Sequence, residues 1–169
     1  MTTFSVLFIC LGNICRSPTA HGVFRHKVAA AGLSDRVRVD SAGTSNYHPN
    51  SPPDQRSQSH AEGRGYDLSD LRARQIRGAD FETFDLILVM DWDNLEQVKR
   101  QCPPQHQHKL RRFTEFCLQF DSPVVPDPYF GGTDGFEQVL DLVEDASDGL
   151  LQQVREQLRG STGSNSKTE

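Results

Sequence analysis

The sequence predicts an α/β fold: a single doubly wound domain with a central parallel sheet of about four strands flanked by helices, and an anion-binding loop after the first strand. Three observations carry that reading. Residues 4–9 (FSVLFI) and 84–90 (FDLILVM) are short, nearly continuous runs of apolar and strand-forming residues, the pattern of strands buried on both faces. Each run is followed by a segment of helical periodicity, so strands and helices alternate. A length of 169 residues suffices for one hydrophobic core and is short for two.

The elements follow in order. Behind the first run, Pro18 suits a first helical turn, and Val23, Phe24, Val28 and Ala31 recur at helical spacing until Gly32. Residues 36–40 (RVRVD) alternate like a second strand, and SAGTSNYHPNSPP after them is a loop dense in Gly, Ser, Asn and Pro. Pro52 and Pro53 open a helix that runs to about Ala61 and is ended by Gly63 and Gly65. After the strand at 84–90, DWDNLEQVKRQ has an acidic first turn and basic residues near its end, as a helix dipole favours. A weak strand is expected at 109–113. From about 135 to 158 a long amphipathic helix places Phe136, Val139, Leu142, Val143, Leu150, Leu151, Val154 and Leu158 on one side. The domain is thus expected to span 1–159, with GSTGSNSKTE at 160–169 as a disordered tail that has no apolar anchor.

A formal charge of -5 with 24% charged residues leaves no excess of basic groups for a nucleic-acid partner. No apolar run approaches the roughly 20 residues that span a bilayer, and no charged region of a secretory signal precedes the first strand. The expectation is a cytoplasmic monomer with no membrane or nucleic-acid partner. The four cysteines, Cys10, Cys15, Cys102 and Cys117, contain no CxxC pair, and His106 and His108 bring no closed ligand set. No metal or other cofactor is expected, and a reactive thiol becomes the more interesting possibility.

In an open α/β sheet, ligands bind beyond the carboxyl ends of the strands, and Cys10 stands at such an end. Five residues separate it from Arg16. A tight loop of that length returns the guanidinium toward the sulfur, turns backbone N–H groups inward and sets the positive end of the next helix beneath them. Such surroundings favour the thiolate, which in an oxyanion cradle can attack phosphorus. Gly12 permits close approach or positive φ; Asn13 tolerates a left-handed conformation while its amide ties the loop. Ser17 can donate its hydroxyl to the thiolate, and the planar fork of Arg16 can hold two phosphoryl oxygens at once. A cysteine and an arginine six positions apart are common in any sequence. The chemical meaning comes from the full string between an apolar strand and a helix.

That string, CLGNICRSP at 10–18, resembles the signature of the low-molecular-weight protein tyrosine phosphatases, and DPYF at 127–130 resembles their second signature. Between them DSAG (40–43), PPDQR (52–56), ARQI (73–76) and FDLILVMDWDNL (84–95) appear in the expected order, so the likeness covers about 6–158. The resemblance implies a metal-free phosphomonoesterase that acts on phosphotyrosine-containing proteins and small aryl phosphates through a phosphocysteine. Cys10 would be the nucleophile, Arg16 the phosphate ligand and Asp127 the general acid, with Leu11, Gly12, Asn13, Ile14, Cys15 and Ser17 completing the phosphate-binding loop. Asp127 lies between Pro126 and Pro128, which restrict its backbone.

The resemblance also implies a Cys10–Cys15 disulfide under oxidation; the alternative is that Cys15 packs beneath the loop. Ser41 is expected to hydrogen-bond to Asn13. Many relatives place a histidine three positions before the arginine of ARQ, where Leu71 stands here, so one polar support of the loop is expected to be missing. Asp91 would cap the next helix or orient the site. Tyr47 and Tyr129 would form aromatic walls of the substrate cleft, with Phe130 in place of a second tyrosine. Ile14 resembles the tyrosine-specific branch, whereas a related phosphoarginine-hydrolysing branch carries threonine there. A thioredoxin-coupled arsenate reductase shares the fold and loop, but Cys102 and Cys117 are misplaced for its relay. The remaining rival, a phosphate-binding module without catalysis, is disfavoured by the presence of all three catalytic residue types.

Overall fold

The computed structural model describes residues 2–129 and 131–167, with side chains as far as residue 160. Among them, β1 (Phe4–Cys10), β2 (Val37–Gly43), β3 (Leu86–Val89) and β4 (Leu110–Arg112) form one parallel sheet in the order β2-β1-β3-β4. The helices are α1 (Arg16–Ala30), α2 (Gln55–Glu62), α3 (Gly78–Thr83), α4 (Trp92–Gln101) and α5 (Thr133–Lys167).

Strand β1 lies between two neighbours and under helices on both faces, which is why its sequence shows no polar alternation. Val6 and Phe8 point to one face, where they join Phe24 and Val28 of α1 and Val143 and Leu150 of α5. Leu7 and Ile9 point to the other, against Phe81, Phe84 and Val98 from the α3 and α4 side. Phe8 meets Phe24 and Phe113 edge-on, at ring separations of 5.9 and 4.9 Å. Burial of each such side chain contributes roughly 1.5–3 kcal/mol. The central strand is therefore fixed from both sides, and the residue that ends it, Cys10, inherits that rigidity.

The differences from expectation cluster near this strand end. β2 continues past Asp40 to Gly43, because Ser41, Ala42 and Gly43 stay in register with Phe8, Ile9 and Cys10. A side chain at Gly43 has no room: its Cβ would sit 2.7 Å from the Leu11 carbonyl oxygen. α2 begins at Gln55 rather than at the prolines, since Asp54 caps it by accepting a bond from the Arg56 N–H at 2.8 Å. α3 and two 3₁₀ turns, Pro104–Lys109 and Phe113–Phe116, are too short to show a period in sequence. α5 starts at Thr133, two residues earlier than its apolar pattern, and its backbone continues as helix through 160–167. Leu158 is the last of its described side chains to be buried. The expected tail falls mainly on residues whose side chains lie outside the described set.

Candidate active site

Cys10 ends β1 and is 3% exposed; α1 begins at Arg16, so the residues between them form the turn. Asn13 takes the left-handed conformation, φ 57°. Its side chain, buried at 2% exposure, donates through Nδ2 to Ser17 Oγ at 2.7 Å and accepts the Arg74 N–H through Oδ1 at 3.1 Å. Arg74 is delivered there because residues of ARQI bond to the backbone of Gly43 on both sides, Gly43 N–H to Arg74 O and Ile76 N–H to Gly43 O. Gly12 is not left-handed; a Cβ there would lie 3.2 Å from the ring of His48, close enough that the ring would have to give way slightly.

The carbonyls of the turn are engaged from outside. Thr44 N–H donates to Cys10 O, Ser45 N–H to Leu11 O and Asp54 N–H to Ile14 O, at 2.9, 3.0 and 2.8 Å. In a planar trans peptide the next N–H points opposite to the carbonyl, so the amides of Leu11, Gly12 and Cys15 are turned the other way. That is the arrangement of an anion cradle.

Ser17 Oγ lies 3.0 Å from Cys10 Sγ. Asn13 already donates to this oxygen, so the hydroxyl proton is left to choose between the sulfur and the Ala42 carbonyl at 3.5 Å. Once Cys10 is a thiolate, the hydroxyl donates to the sulfur, where it stabilises the negative charge.

Arg16 is buried at 3% exposure. Its Nη1 donates to Asp91 Oδ2 at 2.6 Å and to Val125 O at 3.0 Å, and its Nη2 lies 3.7 Å from Asp127 Oδ2. Burial by itself opposes the charge, but Cys10, Asp91 and Asp127 outweigh it and push the guanidinium above its ordinary value. Asp91 also caps α4, since its other oxygen accepts the Asn94 N–H at 2.7 Å. Asp127 projects from the opposite rim with its side chain 43% exposed, and its Oδ1 accepts the Tyr129 N–H at 3.0 Å. The two carboxylates thus approach Arg16 from different elements.

Between these groups lies a cavity of about 200 Å³ with Cys10 and Arg16 among its lining residues and Leu11, Ile14 and Cys15 beside them. Tyr47, His48, Asp127 and Tyr129 complete its lining. Phe130, expected in the same cleft, lies outside the described residues. Cys15 is a buried thiol, pushed up to about 12 chiefly by burial.

One expectation about the loop's support is corrected. Ser41 does not reach Asn13; its hydroxyl pairs with His21 Nδ1 of α1 at 2.9 Å. Leu71 is buried in the apolar core shared by α1 and α5 and offers the loop no polar contact, while a histidine, His21, reaches β2 from α1. Neither His21 nor His48 stands out in the sequence. The only signal for the second was its place beside Tyr47 in a loop dense in Asn and Pro.

A family model described as low molecular weight phosphotyrosine protein phosphatase matches residues 5–160. A putative low molecular weight protein-tyrosine-phosphatase of Synechocystis is 45% identical over 154 residues, covering 90% of this chain and 98% of its own. The human low molecular weight phosphotyrosine protein phosphatase is 44% identical over 140 residues, 81% of this chain and 87% of its own. Among solved structures, a protein tyrosine phosphatase of Entamoeba histolytica matches with a TM-score of 0.88 at 38% identity, covering 91% of this chain and 98% of that one. YfkJ of Bacillus subtilis matches with a TM-score of 0.87 at 33% identity, over 93% and 98% of the two chains.

Proposed function

Because this chain belongs to the low molecular weight phosphotyrosine protein phosphatase family, we propose that it hydrolyses phosphotyrosine in proteins, and small aryl phosphates, through a phosphocysteine intermediate. The observation that carries the reading is the Asn13–Ser17–Cys10 chain of hydrogen bonds beside the buried Arg16, because it prepares a nucleophile and an oxyanion site on one loop.

In the first step Cys10 Sγ forms a bond to phosphorus as the bond from phosphorus to the aryl oxygen breaks. The equatorial oxygens rest on the turn's amides and the Arg16 fork, which is held in orientation by Asp91 and Val125. Asp127, across the cavity mouth, gives its proton to the departing phenolic oxygen. In the second step the same carboxylate takes a proton from water as the water oxygen attacks phosphorus. The S–P bond breaks, inorganic phosphate leaves, and the thiolate returns to the Ser17 hydroxyl. Tyr47 and Tyr129 supply walls for the substrate ring, and the depth of Cys10 between them favours a long aryl ester over a short alkyl one.

The test is turnover of phosphotyrosine, phosphoserine and phosphoarginine peptides in the presence of a chelator, comparing the wild type with Cys10→Ser and Asp127→Ala. Turnover of phosphotyrosine that is abolished by the first change and slowed by the second is expected. Preference for phosphoarginine would replace the substrate class, and persistence of activity in Cys10→Ser would remove the mechanism.

A further inference from the structure

Arg56 lies outside the cavity lining, yet its guanidinium touches both sides of the site. It pairs with Asp54 through two bonds, Nε to Oδ1 at 3.1 Å and Nη2 to Oδ2 at 2.9 Å. Asp54 is the residue whose N–H holds the Ile14 carbonyl of the phosphate loop. On its other side the guanidinium lies over two rings, 5.4 Å from the centre of Tyr129 and 4.8 Å from that of Phe136. Phe136 is buried in the first turns of α5 and is stacked on His60 of α2, so that ring is fixed. Tyr129 is the wall residue whose N–H is bound by the Asp127 carboxylate.

From this geometry we propose that Arg56 is a positioning residue that ties the acid-bearing segment to the phosphate loop and so aims Asp127 at the leaving oxygen; this rests on the phosphatase reading above. The path runs from Ile14 through Asp54 and Arg56 to the Tyr129 ring, and from the Tyr129 N–H to Asp127. Only a planar cation suits both ends of it. The fork matches the carboxylate edge-on while its face is free to lie on an aromatic ring, whereas lysine offers a single compact charge. The residue never contacts the phosphoryl group, so its effect is on where the acid and the aromatic wall stand relative to a phosphate already bound.

The experiment uses the full chain with a series of aryl phosphates whose leaving phenols differ in acidity, read as kcat/KM, which reports the first chemical step. An aimed acid matters most for the least acidic phenols. Arg56→Gln is expected to lower kcat/KM about tenfold more for phenyl phosphate than for 2,4-dinitrophenyl phosphate, a fraction of the 10²–10⁴ supplied by a general acid, because both esters share any loss of ring binding and only the first needs the acid. Arg56→Lys, which keeps a cation near the ring, is expected to recover part of the loss. An equal loss for every leaving group, or no loss for any, would overturn the proposal. A second measurement stands apart from turnover: Arg56→Gln should weaken an aryl phosphonate several-fold while inorganic phosphate binds as before, since the wall moves and the loop does not. Equal weakening of both ligands would overturn it. An inactive wild type would instead remove the phosphatase reading, and the phosphonate comparison would still decide what Arg56 does.

Discussion

The two rims of the cavity are built on opposite principles. The inner residues of the phosphate loop are packed as tightly as core, with Cys10, Asn13 and Arg16 each at most 3% exposed, and carbonyls of the loop are bonded to Thr44, Ser45 and Asp54, while Leu11 faces outward. The acid rim is open, with Asp127 43% and Tyr129 37% exposed, and a cation lying on the Tyr129 ring. The difference follows from what each must do. Charge stabilisation is strongest when its donors are fixed before the reaction begins and water is excluded. Proton transfer to a leaving group needs access, because the group that receives the proton must then depart.

The sharpest way to break this comparison is to damage each rim in turn. Arg16→Lys removes the fork from the fixed rim, and kcat/KM is expected to fall by about 10²–10³ for every aryl phosphate, whatever its leaving group. Asp127→Asn damages the open rim, and its loss of about 10² for phenyl phosphate is expected to vanish as the phenol becomes more acidic. If both variants showed the same leaving-group dependence, the division of labour would be wrong. A smaller effect is expected from Gly43→Ala. The added Cβ, 2.7 Å from Leu11 O and 3.2 Å from Asn13 N, must push the turn outward, at about 1–3 kcal/mol of stability, seen in denaturant unfolding. Phosphate affinity should fall with it, whereas a neutral result would mean that the loop is soft.

The mildest effect at neutral pH concerns His21. Burial chiefly lowers it from 6.5 to about 4, with Asp40 and Asp70 opposing and Arg25 and Arg74 adding to the shift. The unfolded chain therefore binds a proton between those values that the folded chain does not. Its contribution to stability is complete above pH 6.5 and is lost as pH falls toward 4, by up to about 3 kcal/mol. His21→Gln should flatten that part of the profile in chemical denaturation and leave turnover at pH 7 in place. An unchanged slope would mean that another group titrates there.

Much of this molecule is legible from the sequence, for identifiable reasons. β1 and β3 announce themselves because burial on both faces removes polar residues from the string. The Cys10-to-Arg16 turn is legible because left-handed backbone, a thiol and a planar cation each restrict the residue types that serve. Asp127 is visible only through resemblance, since an aspartate between prolines is as good a turn residue as an acid. What stayed hidden depends on tertiary distance. The crowding at Gly12 comes from a ring 36 positions away, at His48. The partner of Ser41, His21, depends on which face α1 turns to β2. The extension of β2 to Gly43 hides because SAG has the composition of a turn.

Asp91 divides its two oxygens between a helix start and an arginine 75 positions earlier. A refolding chain can form the cap once the first turn of α4 winds, but the contact to Arg16 also needs β3 paired with β1. Catalytic competence is thereby tied to the completion of assembly rather than to the formation of the N-terminal strand and loop, even though those few residues contain the nucleophile. Regained turnover would therefore report when the contact between Asp91 and Arg16 closes, which the far-ultraviolet signal of α1 and α5 does not.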